Sequence, residues 1–199
     1  PPAMQVSIRT PVDAVFEVIA LFTEDRKGEG LLLTQTISAN IALGNMDSVS
    51  AGGLVNARDE MSLAQRQINA MRIRTSGPGQ LVSQLSGGNQ QKVVIGRWLE
   101  RECAVMLFDE PTRGIDVGAK FDIYALFGEL TRQGRALVVV SSDLRELMLI
   151  CDRIGVLSAG RLIDTFDRAS WSQDELLAAA FAGYQKRDAL LGEAATRID

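Results

Sequence analysis

Leu85 to Lys120, LSGGNQQKVVIGRWLERECAVMLFDEPTRGIDVGAK, decides the reading of this 199-residue chain, because it puts two kinds of phosphate chemistry within a few turns of backbone. Ser86-Gly87-Gly88-Asn89-Gln90-Gln91 precedes an amphipathic run in which Val93, Val94, Ile95, Trp98 and Leu99 recur at helical spacing. Ser86 suits the cap of that helix, and the glycines admit another molecule close to the backbone. The free amides together with the helix dipole attract an anion such as phosphate. The second half is a strand that ends in acid. Cys103 to Phe108 (CAVMLF) is a short apolar run of the kind buried in a parallel sheet, and Asp109-Glu110 follow where such a strand reaches the ligand-binding edge. Adjacent carboxylates there suggest a division of labour, with Asp109 holding Mg²⁺ directly or through water and Glu110 orienting a water that attacks a terminal phosphate. An acidic pair alone reads more readily as a solvated turn, and its surroundings reverse that balance.

LSGGNQQ, 22 residues between Ser86 and Asp109, and then DEPTRGID resemble the ATP-binding-cassette (ABC) ATPases, whose signature loop and Walker B strand come in this order and wording. The variants NQQK and DEPTRGIDVGAK are most similar to the second cassette of the double-cassette ATP-binding subunits of bacterial sugar importers of the ribose, galactose and xylose type. The resemblance implies an α/β fold: a three-layer nucleotide-binding domain with a mainly parallel sheet and a helical subdomain, here without its N-terminal Walker A portion. It implies ATP and Mg²⁺ as ligands and ATP hydrolysis coupled to sugar import. The implied partners are a second cassette, the transmembrane permease subunits and, indirectly, a periplasmic sugar-binding protein. The implied location is the cytoplasmic face of the bacterial inner membrane, peripherally bound.

Composition agrees with a soluble globular domain. The chain is 46% hydrophobic and 23% charged, long enough for one sizeable core. A net charge of -4 gives no electrostatic footprint for nucleic acid. Cys103 and Cys151 read as buried thiols in a reducing compartment rather than a disulfide framework. No apolar run approaches the roughly 18 residues needed to cross a bilayer. The chain contains no histidine, so any acid-base chemistry must run on carboxylates. The Pro-Pro start without an initiator methionine suggests a fragment.

In chain order, MQVSI alternates briefly, and Thr10 then caps a helix opened by Pro11 with Asp13 in its first turn. Val18 to Phe22 reads as a buried strand leading to the charged loop Thr23 to Gly30 (TEDRKGEG). In the family this is the Q-loop, whose glutamine contacts Mg²⁺ and water. Here Glu24 stands in that place, which departs from the general pattern, although EDRKGEGL resembles the sugar-importer cassettes. Leu31 to Leu43 reads as core, although the family places it against the membrane subunit. Asp47 to Gly53 reads as a loop and Asp59 to Arg72 as a helix of the signature-bearing subdomain. Asp116, in the connection that resembles the D-loop, doubles as the cap of a long helix ending before Gly134.

Ala136 to Val140 reads as a further buried strand. Ser142 follows, in place of the family's switch histidine, and Ser142 or Asp143 with Glu146 is equally a helix cap. Arg153 to Leu157 and Leu162 to Phe166 form a hairpin expected to close the sheet, Ser172 and Glu175 form a capping box, and Gln185 to Asp199 read as a mobile tail. The expected division is a helical signature subdomain over 31–101, a Walker B core over 102–170 and a C-terminal helix and tail over 171–199, within one partial domain. Asp109 and Ser142 are expected at one sheet edge.

No G-x-x-x-x-G-K-[ST] occurs, so this chain has no phosphate cradle of its own and is expected alone neither to bind ATP tightly nor to hydrolyse it. Gly155 to Arg161 imitates the spacing without the lysine or a following helix. In the family two cassettes face head to tail, so Ser86, Gly87, Gly88, Asn89 and Gln90 would close over a nucleotide held by the partner cassette. The expected site then comprises Glu110 as the catalytic group, Asp109 for the metal, and Glu24, Asp116 and Ser142 beside the signature residues for the nucleotide. Two other readings stay open: a non-hydrolysing regulatory cassette that only completes a partner's site, and a soluble ABC ATPase outside transport.

Overall fold

The computed structural model describes residues 7–99, 101 and 103–195, and the side chains among them as far as residue 184. The chain divides into two compact units between Ser141 and Ser142.

In the first unit, Thr10 caps α1 (Pro11–Phe16) through a reciprocal capping box with Asp13, as its sequence predicts. The MQVSI alternation extends into residues outside the described set. Strand β1 (Ile19–Phe22) begins one residue later than expected, because Val18 adopts a left-handed backbone (φ 53), which a β-branched residue rarely does. β1 lies parallel to β4 (Val105–Asp109), which lies parallel to β5 (Ala136–Val140), giving the order β1-β4-β5. Ala20, Phe22, Met106 and Phe108 point to the covered face and are buried. The Phe108 ring stacks on Phe22 at 4.2 Å and meets Phe127 of α5 (Val117–Arg132) at 4.5 Å, which fastens the long helix to the sheet.

The opposite face corrects the expectation of strands buried on both sides. Leu21, Val138 and Val140 are 60%, 51% and 58% exposed, since successive side chains of a strand alternate between faces and the described residues of the first unit cover only one of them.

α2 (Ile37–Ala42) and α3 (Ala57–Ala70) pack on each other and on α4 (Gly87–Leu99). The expected loop near Asp47 to Gly53 is instead a 3₁₀ turn (Met46–Val49) and a small hairpin of β2 (Ser50–Ala51) and β3 (Leu54–Val55). Asn40 interrupts an apolar run because it is a wholly buried junction. Its Nδ2 donates to the Leu32 and Thr36 carbonyls at 2.9 Å, and its Oδ1 accepts from the Leu32 amide at 2.8 Å and from Arg97 Nη2 at 3.1 Å. Arg97 Nε donates to the Asn40 carbonyl at 2.8 Å, so α4 and α2 are joined by a charged hydrogen-bonded pair.

The second unit consists of α6 (Leu144–Ile150), β6 (Arg153–Ser158), β7 (Arg161–Asp167) and α7 (Gln173–Ala195). Asp143, rather than Ser142, caps α6, accepting from the Arg145 and Glu146 amides. β6 and β7 pair antiparallel as a two-stranded sheet of their own, so the hairpin does not extend the parallel ladder as expected. Its inward residues Ile154 and Val156 pack with Leu176, Phe166 and Trp171 into a separate core. The Ser172–Glu175 capping box is present. α7 runs through the segment expected as a tail as far as Ala195, because QKRDALLGEAA is rich in strong helix formers; residues 196–199 lie outside the described set. Both cysteines are free thiols, and burial pushes both up from their ordinary value.

Candidate functional site

Three segments of the first unit converge: the turn after β1, the loop after β4, and the N-terminal tip of α4. The tip is the simplest. No acidic residue occupies its first turn, so nothing in that turn offsets the positive end of the helix dipole. Asn89 braces it, its Oδ1 accepting from the Arg74 amide at 3.0 Å and its Nδ2 donating to Ser86 Oγ at 2.9 Å. With its oxygen accepting from Asn89, the exposed Ser86 hydroxyl keeps its own proton to donate.

The other signature residues are divided between surface and interior. Gly88 is buried against α5, and a Cβ placed there would lie 2.4 Å from the Ala119 Cβ. Gly87 faces the neighbouring segments, where a Cβ would come within 2.9 Å of Arg26 Nη2 and 3.4 Å of the Gly114 carbonyl. Gln90 turns inward and is buried, its Nε2 donating to the Val82 carbonyl at 3.2 Å.

β4 delivers the acids. Asp109 is its last residue, paired in register with Val140 of β5. The chain then turns sharply, for Glu110 has a left-handed backbone (φ 45) that costs a residue with a Cβ roughly 1–2 kcal/mol. The turn is held by the Glu110 amide donating to the Val140 carbonyl at 2.9 Å and the Arg113 amide donating to the Glu110 carbonyl at 3.1 Å. Such an outlier beside an acidic pair is characteristic of functional positions. Gly114 supplies a second left-handed step (φ 68), and Asp116 ends the loop by capping α5, its Oδ1 accepting from the Ala119 amide at 2.9 Å. The Asp116 carboxylate is therefore engaged in the cap.

Among the described residues no group of three Asp, Glu, His or Cys side chains converges on a metal position. Asp109, at the end of β4, is a carboxylate of the kind that can take Mg²⁺ together with phosphate oxygens and water.

Glu24 follows β1 and forms an ion pair with Arg113. Arg26 Nη1 donates to the Arg113 carbonyl at 3.0 Å. Neither arginine was singled out from the sequence. EDR and TRG were legible as wording, but a pairing across 87 and 89 residues leaves no local pattern. Ser142 belongs to the second unit, at the start of the segment leading into α6.

Residues 6–113, more than half of the chain, match the family described as ABC transporter. The ribose import ATP-binding protein RbsA 3 of Rubrobacter xylanophilus is 47% identical over 87% of this chain and 34% of that protein. The ribose import ATP-binding protein RbsA of Shouchella clausii is 41% identical over 89% of this chain and 36% of that protein. The chain thus spans about a third of the length of these relatives. Among solved structures, an ATP-binding cassette dimer in a post-hydrolysis state with ADP and Pi superposes with a TM-score of 0.66 at 21% identity, covering 82% of this chain and 69% of that one. A nucleotide-free ATP-binding cassette gives 0.66 at 17% identity, covering 86% and 68%. At these identities the structures speak to the fold, and they agree on the α/β cassette.

Proposed function

Because this chain belongs to the ABC transporter family, matched over more than half its length, we propose that it is the ATP-hydrolysing module of a sugar importer of the ribose, galactose and xylose type. In this reading it works as one cassette of a longer polypeptide, paired head to tail with another cassette at the cytoplasmic face of the bacterial inner membrane. Its partners there are transmembrane permease subunits and, through them, a periplasmic sugar-binding protein. That no described helix is long and apolar enough to cross a membrane is compatible with a peripheral position. The observation that supports the reading is that an α4 tip with no acid in its first turn lies against Gly114 and Ile115, in the loop that follows the Asp109-Glu110 turn, and against Arg26 of the segment bearing Glu24.

In the mechanism, the partner cassette holds the nucleotide and this chain closes over it. The Ser86 hydroxyl and the amides at the α4 tip donate to the γ-phosphate, where a helix N-terminus is worth most as charge builds in the transition state. At this chain's own acidic turn, Glu110 accepts a proton from the attacking water as its oxygen bonds to the γ-phosphorus and the bond to the ADP oxygen breaks. Asp109 would hold Mg²⁺, which when bound supplies neutralisation of phosphate charge. Glu24 and Ser142 stand where the family's glutamine and switch histidine act, and Asp116 shapes the loop through its cap.

A second reading, a regulatory cassette that does not hydrolyse, is favoured by one observation: the Glu24 carboxylate is occupied by Arg113. Phosphate release by the full-length polypeptide with its permease separates the two. Glu110→Gln should lower sugar-stimulated turnover by about a hundredfold or more if this turn is hydrolytic; undiminished turnover would favour the regulatory cassette.

A further inference from the structure

Arg113 takes part in two contacts that run in opposite directions between the same two segments. Its carbonyl accepts from Arg26 Nη1 at 3.0 Å, and its own guanidinium donates to Glu24. We propose that Glu24, Arg26 and Arg113 form a clasp that sets the position of the Glu110 turn relative to the α4 tip, with Glu24 and Arg26 as positioning residues. This rests on the functional reading above and assigns Glu24 a role other than the metal and water contact of the glutamine it replaces.

Stability is a poor explanation for the Glu24–Arg113 pair. The side chains are 43% and 66% exposed, and such pairs contribute little. Arg26 is differently placed. Its Nε is buried with no hydrogen-bond partner, burial holds its pKa below the ordinary value, and its Nη2 lies beside the positions a Cβ would take on Gly87 and Gly114. One guanidinium therefore fills the gap between the α4 tip and the 113–115 backbone, and this gap exists because both neighbours lack side chains.

The loop it grips has little slack. It is left-handed at Glu110 and Gly114, tied to β5 through the Glu110 amide, buried at Thr112 and capped at Asp116. A displacement of Arg113 is relayed to Glu110 through the hydrogen bond that closes this turn. Glu24 also has an electrostatic task, because its segment meets two cations: Arg113, with which it pairs, and Arg26, whose guanidinium lies beside the positive end of α4. A carboxylate at position 24 offsets them and a glutamine would not. The departure of this chain from the general pattern at position 24 thus has its counterpart at Arg113.

The test uses the full-length polypeptide with its permease and compares Glu24→Gln, Arg113→Gln, the double variant and the charge swap Glu24→Arg with Arg113→Glu. Steady-state kinetics should show each single variant lowering kcat about five- to tenfold with KM for Mg·ATP within about twofold, the double variant no worse than either single, and the swap recovering most of kcat. A raised KM at constant kcat would assign Glu24 to the nucleotide and overturn the clasp, as would multiplicative losses in the double variant. Hydrogen exchange on the same proteins keeps the inference separate from the functional reading. Even if the wild type released no phosphate, Arg26→Gln and Glu24→Gln should each speed exchange across 110–116 about tenfold or more, and unchanged exchange would overturn the clasp.

Discussion

Gly88 of α4 lies so close to Ala119 of α5 that a methyl group on Gly88 would stand 2.4 Å from the Ala119 Cβ. This second signature glycine is therefore needed by the chain's own packing, whatever it offers a ligand. Gly88→Ala should destabilise the chain by about 1–3 kcal/mol through overpacking, and Ala119→Gly in that background should recover part of the loss. Denaturant melts of the two variants and the pair check this. A Gly88→Ala protein as stable as the wild type would show that α4 and α5 can separate at no cost.

Arg97 and Asn40 join α4 to α2 through two charged hydrogen bonds in a partly buried setting. Asn40→Ala should cost about 2–4 kcal/mol, because it strands the Leu32 amide and one edge of a desolvated guanidinium. The denaturation midpoint measures it, and a loss below about 0.5 kcal/mol would mean water replaces the amide there.

Lys92 of α4 reaches Asp122 of α5 at 2.9 Å. The hydrogen bond from Lys92 is the largest influence holding the Asp122 carboxyl below its ordinary 3.8. Since the folded pKa lies below the unfolded one, the stabilisation is complete above the unfolded value and is lost as pH falls through the lower folded value. Asp122→Asn should therefore destabilise the chain near pH 7, by about 1 kcal/mol given the exposure of Asp122, and by less at acid pH, as the carboxylate of the parent protein is protonated. Parallel melts at the two pH values check it; an equal deficit at both would assign the loss to packing.

Much of this was legible in the sequence, since it depends on local rules. Thr10, Asp116 and Ser172 cap where their spacing says, β5 falls on its apolar run, and β4 starts two residues after Cys103 and takes in Asp109. What was hidden depends on neighbours distant in sequence. Periodicity says that Leu21 and Val138 are apolar, not which face of the sheet the chain covers. It says that Asn40 is polar, not that Arg97 seeks it 57 residues away. Signature residues differ for the same reason: helical spacing sends Gln90 to the Val82 carbonyl in the interior and leaves Ser86 at the tip.

The central claim is that the α4 tip serves a nucleotide it does not itself hold. Because Gly88 also packs on Ala119, Ser86 is the cleaner probe: it is exposed, and an acid at a helix N-terminus favours the helix while repelling a phosphate. The decisive measurement is sugar-stimulated phosphate release beside equilibrium Mg·ATP binding, for Ser86→Glu in the full-length polypeptide with its permease. The account predicts turnover lower by at least about tenfold, roughly 1.4 kcal/mol, with binding changed less than about twofold. Intact turnover, or loss of ATP binding in step with turnover, would contradict it.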